Sequence, residues 1–215
     1  MEQHPGSADE ASSSTAVMAA VAAVLVATLV AVVAFSYDPF GGRREDAAWE
    51  ALELDHVGQP VRGLEGCGPF RWKVLANPDE LEVPIGAIRD AFDEIARHTG
   101  FSFEEVGAGH PEPDISMHWE DTAAFAKTLP DTWRDAAGVA FRDGTGAGTH
   151  HSVHLDGQHL NASPHRQRRL LLHELGHVVG LGHVADSGSV MVATGNTEQF
   201  SASDRAGLEA LSEGC

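Results

Sequence analysis

The chain has 215 residues, with 14 Lys+Arg against 32 Asp+Glu, a net charge of −18, and 13 histidines. That balance excludes a nucleic-acid binder, which needs a basic surface to displace counterions from phosphates. Two cysteines are too few for a disulfide-dense scaffold, and the length accommodates one ordinary domain with additional segments.

Residues 1–15 form a polar, acidic tail without Lys or Arg, and residues 16–35 then run through Ala, Val, Leu, Met and Phe with Thr28 as the single polar side chain. As a helix rising 1.5 Å per residue this run spans about 30 Å, the thickness of a bilayer's hydrocarbon core. It has no polar face with which to lie on a globular surface, so one transmembrane helix is expected. The absent basic n-region and the full-length run favour an uncleaved anchor; secretion after signal cleavage is the alternative. Arg43 and Arg44 follow the helix, and the positive-inside rule alone would keep that side cytoplasmic. Residues 36–66, acidic and interrupted by glycines, Pro39 and Pro60, read as an exposed stem or linker.

The folded domain is expected over residues 67–215. Residues 71–76 (RWKVLA) suit a strand. Residues 84–99 suit a helix: Pro84 fits its first turn, Ile85, Ile88, Phe92 and Ile95 recur at helical spacing, and Gly100 fits its stop. Residues 101–106 (FSFEEV) and 114–119 (DISMHW) alternate as half-buried strands, and a glycine-rich passage, 144–148, leads into a further strand at 150–156 (HHSVHLD). Strands alternating with helices predict an α+β or mixed α/β domain with a twisted mixed sheet.

The chemistry concentrates in the next helix, expected around Arg166 to Val179, where the chain reads RQRRLLLHELGHVVGLGH as far as His183. His173 and His177 are four apart, which stacks them on one helical face and supplies two imidazole ligands from a rigid element. Glu174 can reach a metal-bound water without being a ligand. Gly180 can take positive φ and end the helix, and the turn brings His183 back to the same ion. Three nitrogens leave a position for water, which marks a catalytic zinc site. Leu170, Leu171, Leu172, Leu175, Val178 and Val179 are expected to serve as core rather than as substrate contacts.

The motif HExxHxxGxxH, matched at every fixed position from His173 to His183, resembles that of the metzincin zinc endopeptidases. Met191, eight residues after His183, is similar in spacing to the methionine turn of the matrixin branch, and the resemblance runs over residues 67–215, with residues 200–211 as the last helix. It implies a zincin-like fold with an active-site helix and a C-terminal helix. It also implies one catalytic Zn²⁺ on His173, His177 and His183, Glu174 as general base, Met191 and Gly180 supporting the site, and a peptide or protein substrate. An extended peptide would pair with a free edge near residues 150–156. The domain is expected to be monomeric.

The departures are specific. Val184 and Val192-Ala193 stand where matrixins carry Ser and Tyr-Pro. A second, structural zinc needs a His-x-Asp pair and two further histidines; His154 matches one position, but Val139 occupies another and no such pair precedes it, so neither that zinc nor a calcium site is expected. His150, His151, His154 and His159 would then line the cleft or stand solvated on an edge strand. Cys67 and Cys215 bracket the domain and suit a disulfide; Cys67-Gly68 also resembles, weakly, the zinc-ligating cysteine of matrixin zymogens. The disulfide reading places the domain outside the cytoplasm on a single-pass anchor, despite Arg43 and Arg44. Two alternatives to an endopeptidase stay open: a tethered zinc-binding module without activity, and a zinc amidohydrolase of a non-protein substrate.

Overall fold

In β1 (Phe70–Ala76), Phe70 and Trp72 point into the core, and the same alternation recurs in β3 (Ile115–Glu120) and β5 (His150–Asp156). The computed structural model describes residues 49–76, 81–107, 109–110, 112–129, 136–144, 149–161 and 163–215. The tail and the apolar run 16–35 lie outside them; among the described residues no helix is long and apolar enough to cross a membrane.

Five strands form one sheet in the order β2-β1-β3-β5-β4, with β2 at Phe103–Glu105 and β4 at Gly138–Asp143. β1, β2, β3 and β5 run parallel and β4 runs antiparallel to β5, so the sheet is mixed, as expected. The position of β5 corrects one expectation. It lies between β3 and β4, and the edge on that side of the sheet belongs to β4, whose segment GVAFRD carries too little alternating hydrophobicity to announce itself.

Helix α1 (Ile85–Thr99) buries Ile88, Ala91, Phe92 and Ile95 against the sheet, stacks Phe92 on Trp72 at 4.5 Å, and stops at Gly100 in the left-handed region. After β3, Asp121 caps α2 (Thr122–Thr128), accepting from the N–H groups of Ala123 and Ala124. Short α3 (Gly157–Leu160) leads to α4 (Pro164–Val179), and α5 (Ala202–Leu211) closes the chain behind a Ser201–Asp204 capping box. Helices α1, α4 and α5 share the core with the inward side chains of the sheet.

Residues 49–66 are the second correction. Read from composition as stem, they pack on the domain, with Trp49 and Leu64 buried and Ala51 bridging to Leu181. Their backbone clasps the end of α4: Leu52 N–H donates to Gly180 O, Gly182 N–H to Glu50 O and Gly63 N–H to Val179 O, at 2.7–2.8 Å. The segment is polar in composition because it satisfies the backbone groups left open at a helix end, a job that needs few apolar side chains. Cys67 and Cys215 form a disulfide, so the zymogen-type reading of Cys67 gives way.

Candidate active site

Ser163 caps α4 and Pro164 opens it, two residues ahead of the expected start at Arg166. One turn apart on this helix, His173 and His177 turn their Nε2 atoms toward each other at 3.1 Å. Gly180, at φ 118°, then reverses the chain, and a Cβ there would meet Val61 O at 2.8 Å. The position therefore requires glycine twice over, for its backbone conformation and for the approach of the clasp. The turn delivers His183, whose Nε2 stands 3.2 Å from both other Nε2 atoms.

The outer nitrogens fix the tautomers. His173 Nδ1–H donates to Val190 O at 2.8 Å and His177 Nδ1–H to Leu181 O at 2.7 Å, so both Nε2 atoms present lone pairs. Burial pushes His173 down to about 4 and His177 down to about 3, and lowers His183 as well. Neutral imidazole lone pairs brought together at 3.1–3.2 Å repel one another unless a cation sits among them. A tetrahedral ion with metal–nitrogen bonds of 2.0–2.1 Å spaces its nitrogens by about 3.4 Å, so the three residues fit zinc.

Glu174 is buried at 3% exposure, and its Oε2 has no hydrogen-bond partner among the described residues. Burial pushes its carboxyl up to about 8, opposed by the Arg169 guanidinium. Gly138 makes room for it: a Cβ there would stand 2.9 Å from Glu174 Oε1. The carboxyl and the three imidazoles open on a cleft of about 1000 Å³, lined also by residues 136–140 at the start of β4 and by residues 193–196. All six apolar residues of α4 are buried in the core, as expected, and Leu170 also borders this cleft.

Met191 lies beneath the helix, its Sδ 2.5 Å from where a Cβ on Gly176 would stand, so a side chain at 176 would make the methionine shift. A network that sequence reasoning missed holds this turn. Asp204 of α5, 1% exposed, accepts from Ser189 Oγ at 2.6 Å and from Val190 N–H at 3.2 Å, and Ser189 Oγ in turn accepts from Met191 N–H. Val190 O is the acceptor that orients His173. The sequence signal was the S-x-x-D of residues 201–204, a capping box whose acid also reaches outward.

A sequence model of the family Peptidase_M10, Matrixin, matches residues 71–212. The chain belongs to the matrixin family. Membership makes this a metallopeptidase domain with zinc as its expected metal and peptides or proteins as its substrates. No curated protein matches the chain. Among solved structures it is similar to that of myroilysin, at 12% identity and a TM-score of 0.45, covering 68% of this chain and 80% of that one.

His150, His151 and His154 do not line the matrixin cleft. His150 Nδ1–H donates to Pro113 O, and buried His151 donates from Nε2 to Gly63 O at 2.8 Å, which ties the clasp to the sheet. His154 is half-buried beside Glu120 and His118. The side chain of His159 lies outside the described residues. Neither a solvated edge nor the cleft accounts for the first three, because β5 is interior.

Proposed function

We propose that the domain is a zinc-dependent endopeptidase in which Glu174 is the general base. One observation carries the reading: a buried carboxyl with an oxygen unpaired among the described residues shares a cleft of about 1000 Å³ with three converging imidazole nitrogens. When bound, the zinc supplies Lewis acidity, which brings a water's pKa to about 7 and polarises a carbonyl. His173, His177 and His183 hold the ion. Glu174 accepts the proton of the attacking water as the oxygen–carbon bond forms, and returns it to the amine nitrogen as the carbon–nitrogen bond breaks. Backbone groups on the free edge of β4, which borders the cleft, orient an extended peptide by strand addition. Gly138 at the start of that strand keeps the peptide path and the carboxyl close together.

The anchored, extracytoplasmic placement belongs to the same proposal. It is supported by the apolar run 16–35 and by a disulfide that requires an oxidising compartment.

Glu174 also separates the readings, since a module that only binds zinc needs no carboxyl there. The full chain, loaded with zinc, is incubated with a diverse peptide library with and without chelator. Chelator-sensitive cleavage is expected, and Glu174→Gln should keep its zinc while losing about 10²–10⁴-fold in kcat. Equal rates for parent and variant would remove Glu174 from the mechanism. No cleavage of any peptide would favour the binding module or a non-protein amide.

A further inference from the structure

The sheet carries a second convergence of metal-ligating side chains, on the face turned away from α4. β3 and β5 are parallel neighbours that pair His118 with His154, so both imidazoles leave the same face side by side. Their rings stack with centroids 4.1 Å apart and planes within 7°. Glu120, two residues along β3 and therefore on the same face, places Oε2 3.2 Å from His154 Nδ1. One ligand atom from each residue lies within 4.8 Å of the others. Met117, Trp119, Val153 and Leu155, which alternate with these three, are at most 1% exposed on the core side.

Two imidazole nitrogens and a carboxylate oxygen form a donor set suited to zinc and neighbouring first-row divalent ions. An ion pair between His154 and Glu120 accounts for only two of the residues. It leaves the half-buried ring of His118 held by stacking alone, with no hydrogen bond among the described residues. An ion shared by all three would engage that ring once one of the stacked imidazoles turns about its Cβ–Cγ bond, so that a nitrogen of each faces the Glu120 carboxylate.

We propose that His118, Glu120 and His154 form a second divalent-metal site of the zinc class, pinning β3 to β5. It is not the second zinc of the matrixin pattern. Only His154 coincides with that pattern, Val139 stands directly opposite it in the register where a histidine would be needed, and two of the three ligands come from β3. A pin across the central strands supports the sheet from which β4 borders the cleft, and it takes no part in the chemistry there.

The test uses the full chain with the catalytic triad disabled by His173→Ala and His177→Ala, stripped of metal and titrated with Zn²⁺ or Co²⁺. Binding is read by calorimetry, by metal content after gel filtration, and by the visible bands of bound Co²⁺. The expected result is one bound ion per chain and a zinc-dependent rise in melting temperature. Both should be lost on adding Glu120→Gln, which keeps the shape of the side chain, and on adding His118→Ala. In the catalytically intact chain the same substitutions should lower zinc content from two ions to one while the peptidase survives. Absence of binding by the triad-disabled chain, or binding that neither substitution weakens, would overturn the proposal. Because the first measurement excludes the catalytic ligands, its failure is distinct from failure of the peptidase reading.

Discussion

Asp204 is the residue on which the geometry of the imidazoles depends most indirectly. It touches no histidine, yet it holds Ser189 and Val190, and Val190 O fixes the ring of His173. A buried carboxylate that accepts hydrogen bonds from a hydroxyl and two backbone N–H groups is costly to remove, because each donor is left unpaired. Partners standing one step behind metal ligands typically contribute about 10–100-fold in metal affinity. Asp204→Ala should therefore weaken zinc binding by about that factor and destabilise the fold by about 2–4 kcal/mol. Asp204→Asn, which keeps one acceptor, should lose less of both. Competition with a chromophoric chelator and urea unfolding measure the two quantities. Unchanged zinc affinity in a folded Asp204→Ala protein would disconnect α5 from the site.

Among the elements, the active-site helix was the most legible, because its ligand spacing is dictated by helical geometry and Gly180 marks its end; its start signal, Ser163-Pro164, went unread, which put the expected start two residues late. The strands β1, β3 and β5 and helix α1 were legible for the same reason: their apolar side chains repeat with the period of the element. The failures share a different cause. β4 and the clasp of residues 49–64 are held by backbone hydrogen bonds to other elements, and backbone pairing leaves little trace in side-chain chemistry. The cluster of His118, Glu120 and His154 escaped because cross-strand neighbours are adjacent only once strand order and register are known. The clasp yields a direct expectation. A fragment of residues 67–215 exposes the face that Trp49 and Leu64 cover, and leaves Val179 O and Gly180 O without their donors. Relative to residues 49–215 it should lose about 3 kcal/mol or more, from apolar burial and broken hydrogen bonds together. Because the clasp ends on the turn that delivers His183, it should also bind zinc more weakly. Thermal unfolding of the two fragments side by side decides this, and equal melting temperatures would make the clasp ornamental.

Across the whole molecule, the disulfide and the site sit at opposite ends of one chain of constraints. Cys67 lies just before β1, with its carbonyl accepting from Ser102 N–H. Cys215 ends the chain after α5 and packs against the stop of α1 at Gly100. The bridge thus ties the start of the sheet to the helix whose Asp204 holds the methionine turn, and it closes a loop of 148 residues. On the chain-entropy account such a loop restricts the unfolded state by about 5 kcal/mol, while leaving the native contacts at the cleft untouched. The effect should therefore appear in stability and not in turnover. Replacing both cysteines by serine should lower the melting temperature by about 5–15 °C, and the parent should fall by a similar amount under strong reductant. Zinc content and kcat, measured well below the lower melting point, should match those of the parent. A double variant that melts with the parent would show that the bridge adds no stability. One that loses zinc at temperatures where it remains folded would show that the bridge acts on the site through α5 and the Ser189–Met191 turn.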